Sequence, residues 1–147
     1  MRVRAGCVLI EEDRLALIER RRAGEHYFTL PGGGVDPGET HEQAAIREAQ
    51  EELGLQVKIL RKIAEVHFKR DLQPFFLVER TGGEFGTGTG EEYGEVDSMH
   101  GTYRPLWMPL AEVLKENVLP RGMVDLIHES LRTGWPEETV IIFEESG

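Results

Sequence analysis

"GGVDPGETHEQAAIREAQEELGL", Gly33 to Leu55, is the stretch on which the reading of this chain turns. A helix from about Thr40 to Leu53 is written into its ends. Thr40 followed by Gln43 matches a capping box, in which each side chain satisfies an otherwise unpaired backbone N–H. Gly54 suits the left-handed position that closes a helix, and Leu55 can fold back on the last turn near Ala49. Side chains advance about 100° per residue along a helix. On that projection Ile46, Ala49 and Leu53 form one apolar stripe. Glu48, Glu51 and Glu52 form an opposite, acidic one. Those three glutamates sit at the C-terminal end, where the helix dipole disfavours anions. They also stand at spacings where like charges cost about 0.2–0.5 kcal/mol per pair. A divalent cation reverses the sign of each of these terms. Three hard oxygen donors on a rigid element suit Mg²⁺ or Mn²⁺. A solvated, glutamate-rich helix face is the plain alternative.

Gly33, Glu39, Arg47, Glu48, Ala49, Glu51, Glu52, Gly54 and Leu55 together resemble the signature of the Nudix hydrolase family, in its MutT-like form. Ala49 departs softly, since a larger aliphatic is usual there. "LPGG" before the stretch and "WMPLAEV" after it resemble the family's flanks, so the likeness covers roughly residues 1–118. The resemblance implies an α/β (α+β) fold, an α/β/α sandwich with a mixed sheet and a loop-helix-loop catalytic motif. It implies Mg²⁺-dependent hydrolysis of a pyrophosphate bond in a nucleoside diphosphate derivative, with water attacking phosphorus. By the same resemblance Glu48, Glu51 and Glu52 would hold metal together with the backbone carbonyl of Gly32. Glu48, Glu51 and Arg47 would be the catalytic set, with Arg47 holding a glutamate carboxylate in place. Which carboxylate is the base stays open. Glu39 would brace the loop, and Arg20, Gly33, Glu39 and Glu92 are the candidates on the substrate side. Glu91 and Glu95 are weaker alternatives to Glu92. The competing reading is a catalytically silent nucleotide-binding or regulatory module of the same fold.

The rest of the chain fits a soluble enzyme. Its 147 residues suit one domain, 1–147. No apolar run approaches the ~20 residues of a membrane span, and the N-terminus reads as a first strand rather than a signal peptide. A net charge of −10 would repel a polyanion, and "ERRR", Glu19 to Arg22, is the densest basic run. The expected partner is therefore a small nucleotide, not a nucleic acid or a membrane, with a homodimer as the candidate assembly. A lone cysteine, Cys7, fits a reducing cytoplasm and a buried strand position.

Strands are expected at Val3–Ile10, Leu15–Arg20, Tyr27–Leu30, "VKILRKIAEVHF", "QPFFLVER", "TYRPLWMPL" and "TVIIF". The first two should pair across "EEDR". Helices are expected at "LAEVLKE" and "GMVDLIHESLR". Pro31 to Gly34 read as a turn, and 81–101 as a long glycine-rich loop. One of Arg20, Arg21 and Arg22 is suited to a phosphate. Tyr27, Phe28, Tyr103 and Trp107 are suited to stacking on a base or to the core. The histidines are scattered without metal-ligand spacing. The proline typical of the ADP-ribose branch and the extra motif of the coenzyme A branch are not found. A nucleoside triphosphate is the first expectation for the substrate, a dinucleotide polyphosphate or nucleotide sugar the second.

Overall fold

The computed structural model describes residues 2–87 and 102–144. Ten strands and three helices are assigned there: β1 (Arg2–Val8), β2 (Ile10–Glu11), β3 (Arg14–Arg22), β4 (Glu25–Thr29), β5 (Gly32–Gly34), α1 (His41–Leu53), β6 (Leu55–Phe68), β7 (Asp71–Gly83), β8 (Thr102–Pro109), α2 (Leu110–Val113), β9 (Val118–Leu119), α3 (Arg121–Thr133) and β10 (Val140–Phe143). Glu91, Glu92 and Glu95, with most of the expected loop, lie outside the described residues.

The strands form two mixed sheets rather than one. The first runs β10-β6-β7-β1-β5, and the second runs β2-β3-β4-β9 with β8 paired to β3. β1 is parallel to β7 and antiparallel to β5. The hairpin expected across "EEDR" is limited to β2 and β3, where Ile10 faces Leu15 and Glu11 faces Arg14. The long partner of β3 is instead β8, antiparallel from Arg14–Pro109 to Arg21–Thr102. Glu12 and Asp13 turn with φ of 50° and 60°. That tight turn closes the short β2–β3 pairing, while β1, which ends at Val8, lies in the other sheet.

Strand periodicity of two sorts the core into two layers. Val8, Leu15, Leu17, Phe28 and Phe75 pack with Met123, Val124 and Ile127 of α3. Ala5, Cys7, Ala16, Ile18, Phe76 and Val78 pack with Ala44, Ala45, Ala49 and Leu53 of α1. The β layer thus carries a helix on each side, the sandwich that the sequence suggests. Each fully buried Leu or Phe contributes about 1.5–3 kcal/mol. Burial also pushes the Cys7 thiol up to about 12, so it is a core residue and not a nucleophile.

Two local expectations are corrected. The three glycines after Pro31 are not a plain turn: they form β5, with Gly32, Gly33 and Gly34 opposite Gly6, Ala5 and Arg4. A Cβ on Gly32 would lie 2.6 Å from the Ala5 carbonyl oxygen, so only glycine lets β5 approach β1. The helix face is also rotated from the one projected. Ala44, Ala45, Ala49, Glu52 and Leu53 are buried, whereas Ile46 is exposed. Small alanines bring α1 close to the sheet, and that contact sets the rotation.

Candidate active site

The site is built on α1 and the glycine strand before it. Thr40 caps the helix as expected: its hydroxyl accepts from the Gln43 N–H at 3.0 Å, and Gln43 Oε1 accepts from the Thr40 N–H at 2.9 Å. Such a cap contributes about 1 kcal/mol. Gly54 ends the helix at φ 78° and donates its N–H to the Gln50 carbonyl at 3.0 Å. A Cβ there would lie 2.6 Å from the Glu84 carbonyl oxygen, so glycine is required twice over.

Within this frame Arg47 is the hub. Its Nε and Nη2 donate to Glu39 Oε2 and Oε1 at 2.8 and 2.9 Å, a bidentate pair. Nη1 donates to Glu48 Oε1 at 2.9 Å and to Glu51 Oε2 at 3.2 Å. Nη2 also reaches the Gly34 carbonyl at 2.8 Å, tying the helix to β5. Glu39 Oε1 accepts a further bond from the Asp36 N–H at 2.9 Å. Arg47 and the Asp36 N–H hold the Glu39 carboxyl down to about 2. The Arg47 guanidinium is held above its ordinary value, chiefly by Glu39, with Glu48 adding to it.

Glu52 is the carboxylate that the helical projection misplaced. It is 2% exposed, and its Oε1 accepts from the Gly32 N–H at 2.6 Å. A buried carboxylate survives because a backbone donor meets it. Glu48 lies against Gly33: a Cβ on that glycine would come within 2.4 Å of the Glu48 carboxyl carbon. The Glu48 carboxyl can take that place only because residue 33 lacks a side chain. Glu51, by contrast, has its side chain 38% exposed.

The three glutamates, Gly32, Gly33, Arg47 and Glu39 are thus brought to one edge of the first sheet. Among the described residues, no three acidic, histidine or cysteine side chains converge closely enough to hold a metal ion as they stand. Arg47 stands between Glu48 and Glu51 and offsets part of the repulsion that the sequence implies. The donor types still fit a hard divalent cation: carboxylate oxygens, with the glycine backbone close against Glu48 and Glu52.

Arg20 stands elsewhere, on β3, its guanidinium 4.5 Å from the centre of the Tyr103 ring. It lines a cleft with Tyr27 and with Arg4, a residue that the sequence reading passed over. The sign was present: Arg4 is one of two charged residues, with Arg2, in the strand β1. Asp36 was missed too, and its carboxylate lies 3.5 Å from Arg47 Nε. Of the other aromatics, Phe28 is buried in the core and Trp107 stacks on Phe85 at 5.0 Å.

No helix among the described residues is long and apolar enough to cross a membrane. RNA pyrophosphohydrolase of Yersinia enterocolitica is 52% identical over 44 residues, 30% of this chain and 25% of that protein. The chain thus spans about a quarter of the length of the curated relatives it matches. The fold is similar to a NUDIX hydrolase of Nitrosomonas europaea, with a TM-score of 0.68 and 22% identity, covering 97% of this chain and 79% of that one. It is also similar to an ADP-ribose pyrophosphatase of Streptococcus suis, with a TM-score of 0.67 and 19% identity over 97% and 98% of the two chains. The NUDIX domain profile matches residues 1–128, which takes in the glycine strand, the glutamate helix and every described strand but β10, and on that match the chain belongs to the Nudix family.

Proposed function

We propose that the chain hydrolyses a pyrophosphate bond in a nucleoside diphosphate derivative, with a nucleoside triphosphate as the leading substrate. The observation that carries this reading is the shared fixing of four glutamates: Arg47 holds Glu39, Glu48 and Glu51, while Gly32 holds Glu52. Such bracing keeps carboxylates together at a glycine strand, where a phosphate chain can approach the backbone. The family generally uses divalent metal ions such as Mg²⁺. Glu48, Glu51 and Glu52, with the Gly32 carbonyl, are the residues that would hold Mg²⁺ or Mn²⁺ here. When bound, the ion supplies charge neutralisation at the pyrophosphate and Lewis acidity toward phosphorus.

The chain's own residues do the rest. Glu52 anchors the ligand set, because its buried carboxylate is fixed by the Gly32 N–H. Glu48 and Glu51 are the candidates for taking the proton of the attacking water. Arg47 orients both of them and is a positioning residue. Gly33 gives the substrate and Glu48 room, and Glu39 locks Arg47 to the loop. Glu92 remains a proposal for a further acid on the substrate side. Attack at phosphorus breaks the P–O–P bridge and releases a nucleoside monophosphate and the second phosphorylated product. Positioning and electrostatics account for most of the rate. A small-molecule substrate, a cytoplasmic setting and a homodimer complete the proposal.

The test is a nucleotide screen in Mg²⁺ that detects phosphorylated products, repeated with Glu52→Gln and with chelator. We expect loss in both. Turnover that survives both would end the proposal, and the absence of turnover on every nucleotide would leave the silent binding module as the reading.

A further inference from the structure

The two ends of the first sheet are finished differently. β5, at one end, belongs to the glutamate site. β10, at the other, closes the sheet with four residues and pairs with β6 alone among the described residues. Its outer side therefore presents a row of unmatched backbone N–H and C=O groups. Edge strands are commonly guarded by lysine, proline or a bulge. β10 reads Val140, Ile141, Ile142, Phe143, and its register against β6 runs without a shift. All four residue types favour a strand.

The side chains point the same way. Phe143 is 79% exposed, Leu60 50% and Ile141 49%, the three most exposed large hydrophobics among the described residues. All three belong to β10 or to β6, the strand beside it. Ile141 and Phe143 share one face, opposite Glu65 and His67 of β6, and the Phe143 ring lies 5.4 Å from that of His67. The other face is taken by α3. Glu144 Oε1 accepts from the Gly122 N–H at 2.6 Å, and a Cβ on Gly122 would lie 2.5 Å from Ile142 Cγ2. β10 is thus held from behind and from one side, and open along its edge. Exposed apolar residues gathered at an unpaired edge mark an association site.

Charge decides what fits there. The pairing of Phe143 with His67 sets the C-terminal end of β10 beside the turn between β6 and β7, where Lys69 and Arg70 are exposed. Arg2 joins this corner, its N–H donating to the Arg70 carbonyl at 3.3 Å. Glu137 and Glu138, also exposed, precede the other end of β10. Lys69, Arg70, Glu137 and Glu138 enter no ion pair among the described residues. The strand is therefore acidic at its start and adjoins a basic corner at its end. An edge meets its own copy about a two-fold axis only in the antiparallel sense. That sense brings the acids of each copy to the basic corner of the other, twice.

We propose that β10 is a homodimer interface, pairing antiparallel with β10 of a second copy so that the two first sheets join. Centring the pair on Ile142 keeps the faces matched: Ile142 stands opposite itself, and Ile141 opposite Phe143 of the copy. Glu137 and Glu138 then lie about 10 Å, or two strand spacings, from the partner turn, within one Debye length at physiological salt. The glutamate sites fall at the outer ends of the joined sheet, and both stay open. This deepens the homodimer of the proposed function and does not rest on the hydrolysis.

Sedimentation velocity of the full chain over a range of concentrations reads the assembly. We expect a concentration-dependent dimer. Phe143→Glu should raise its dissociation constant about tenfold or more, as loss of a central interface aromatic does. Phe143 is exposed, so circular dichroism should stay native. Leu114→Glu alters an exposed leucine away from the edge and should leave the constant within about twofold.

Charge reversal tests the direction. Lys69→Glu with Arg70→Glu in one protein, and Glu137→Lys with Glu138→Lys in another, should each weaken the dimer. An equimolar mixture of the two should dimerise again, because both contacts between unlike copies are complementary. Cysteines test the register. Opposite positions lie within about 5.5 Å and diagonal ones about 7–8 Å apart, too far for a disulfide. Oxidation should therefore cross-link a mixture of Ile141→Cys and Phe143→Cys proteins and neither protein alone, while the buried Cys7 stays out of the reaction.

A monomer at every concentration would overturn the interface, as would a dimer that Phe143→Glu leaves intact. A charge-reversed mixture that stays monomeric would overturn the antiparallel arrangement, and equal cross-linking in either protein alone would overturn the register. A chain that dimerises in this way but cleaves no nucleotide keeps the interface and loses the reaction. An active monomer does the reverse.

Discussion

The glutamate edge of α1 and the arginine cleft beside it are built from opposite charges, and they are finished differently. At the glutamate edge the like charges are answered from within: Arg47 donates to Glu39, Glu48 and Glu51, and the Gly32 N–H to Glu52. In the cleft, Arg4 and Arg20 keep buried Nε donors without a partner. The first region is preorganised, since its geometry is fixed by bonds that exist before any ligand arrives. The second region is left incomplete, since those donors have no bond that the protein supplies for them.

The largest break in that contrast should come from Glu52→Gln. The amide oxygen can still accept from the Gly32 N–H, so the fold should hold while the anchoring charge is lost. We expect kcat with Mg²⁺ to fall by about 10²–10³-fold, the scale on which one electrostatic contact at a reacting centre is felt. A near-normal kcat would show that the buried carboxylate serves structure alone. Gly33→Ala should follow, with a loss of about tenfold or more, since its Cβ would meet the Glu48 carboxyl carbon at 2.4 Å. Circular dichroism should remain native, because a side chain can move aside where backbone cannot.

Arg47→Ala tests the hub itself. It strips three carboxylates of their common partner, and we expect about 1–3 kcal/mol of lost stability in urea titrations together with a fall in kcat. Adding Glu51→Gln to that variant should restore part of the stability by relieving repulsion. No recovery would mean that Arg47 acts as packing rather than as counter-charge.

The pair it makes with Glu39 gives a pH signature. The Glu39 carboxyl ionises near about 2 when folded against an ordinary 4.5, and a depressed folded value favours the native state once the unfolded group is ionised. That contribution is therefore complete above about pH 4.5 and fades as pH falls toward 2. The stability gap between the wild type and Glu39→Gln should be widest near neutrality and close through that window. A gap that does not change with pH would break the assignment. The smallest effect is expected for Thr40→Ala, about 1 kcal/mol with kcat unchanged, because the cap shapes the helix start and touches no reacting group.

α1 was legible because its signals are local. Capping box, closing glycine and glutamate spacing all lie within one stretch, and each acts through neighbours in sequence. The rotation of the helix was not legible. Projection put Ile46 inside and Glu52 outside, yet Ala44 and Ala45 pack on the sheet and turn Glu52 inward. The glycines after Pro31 read as a turn because nothing near them shows that β1 will lie alongside.

The sequence by itself determined that a capped helix would carry a tight group of glutamates behind a glycine-rich segment, and with it the family. Those are choices of residue type at fixed spacing, and helix geometry converts spacing into position. Only the tertiary structure decided which carboxylate is buried, that Arg47 serves several of them at once, and that Arg4 and Arg20 share a cavity. Such facts depend on strands distant in sequence being pressed together, and pairwise contact between remote segments leaves no mark on either segment alone.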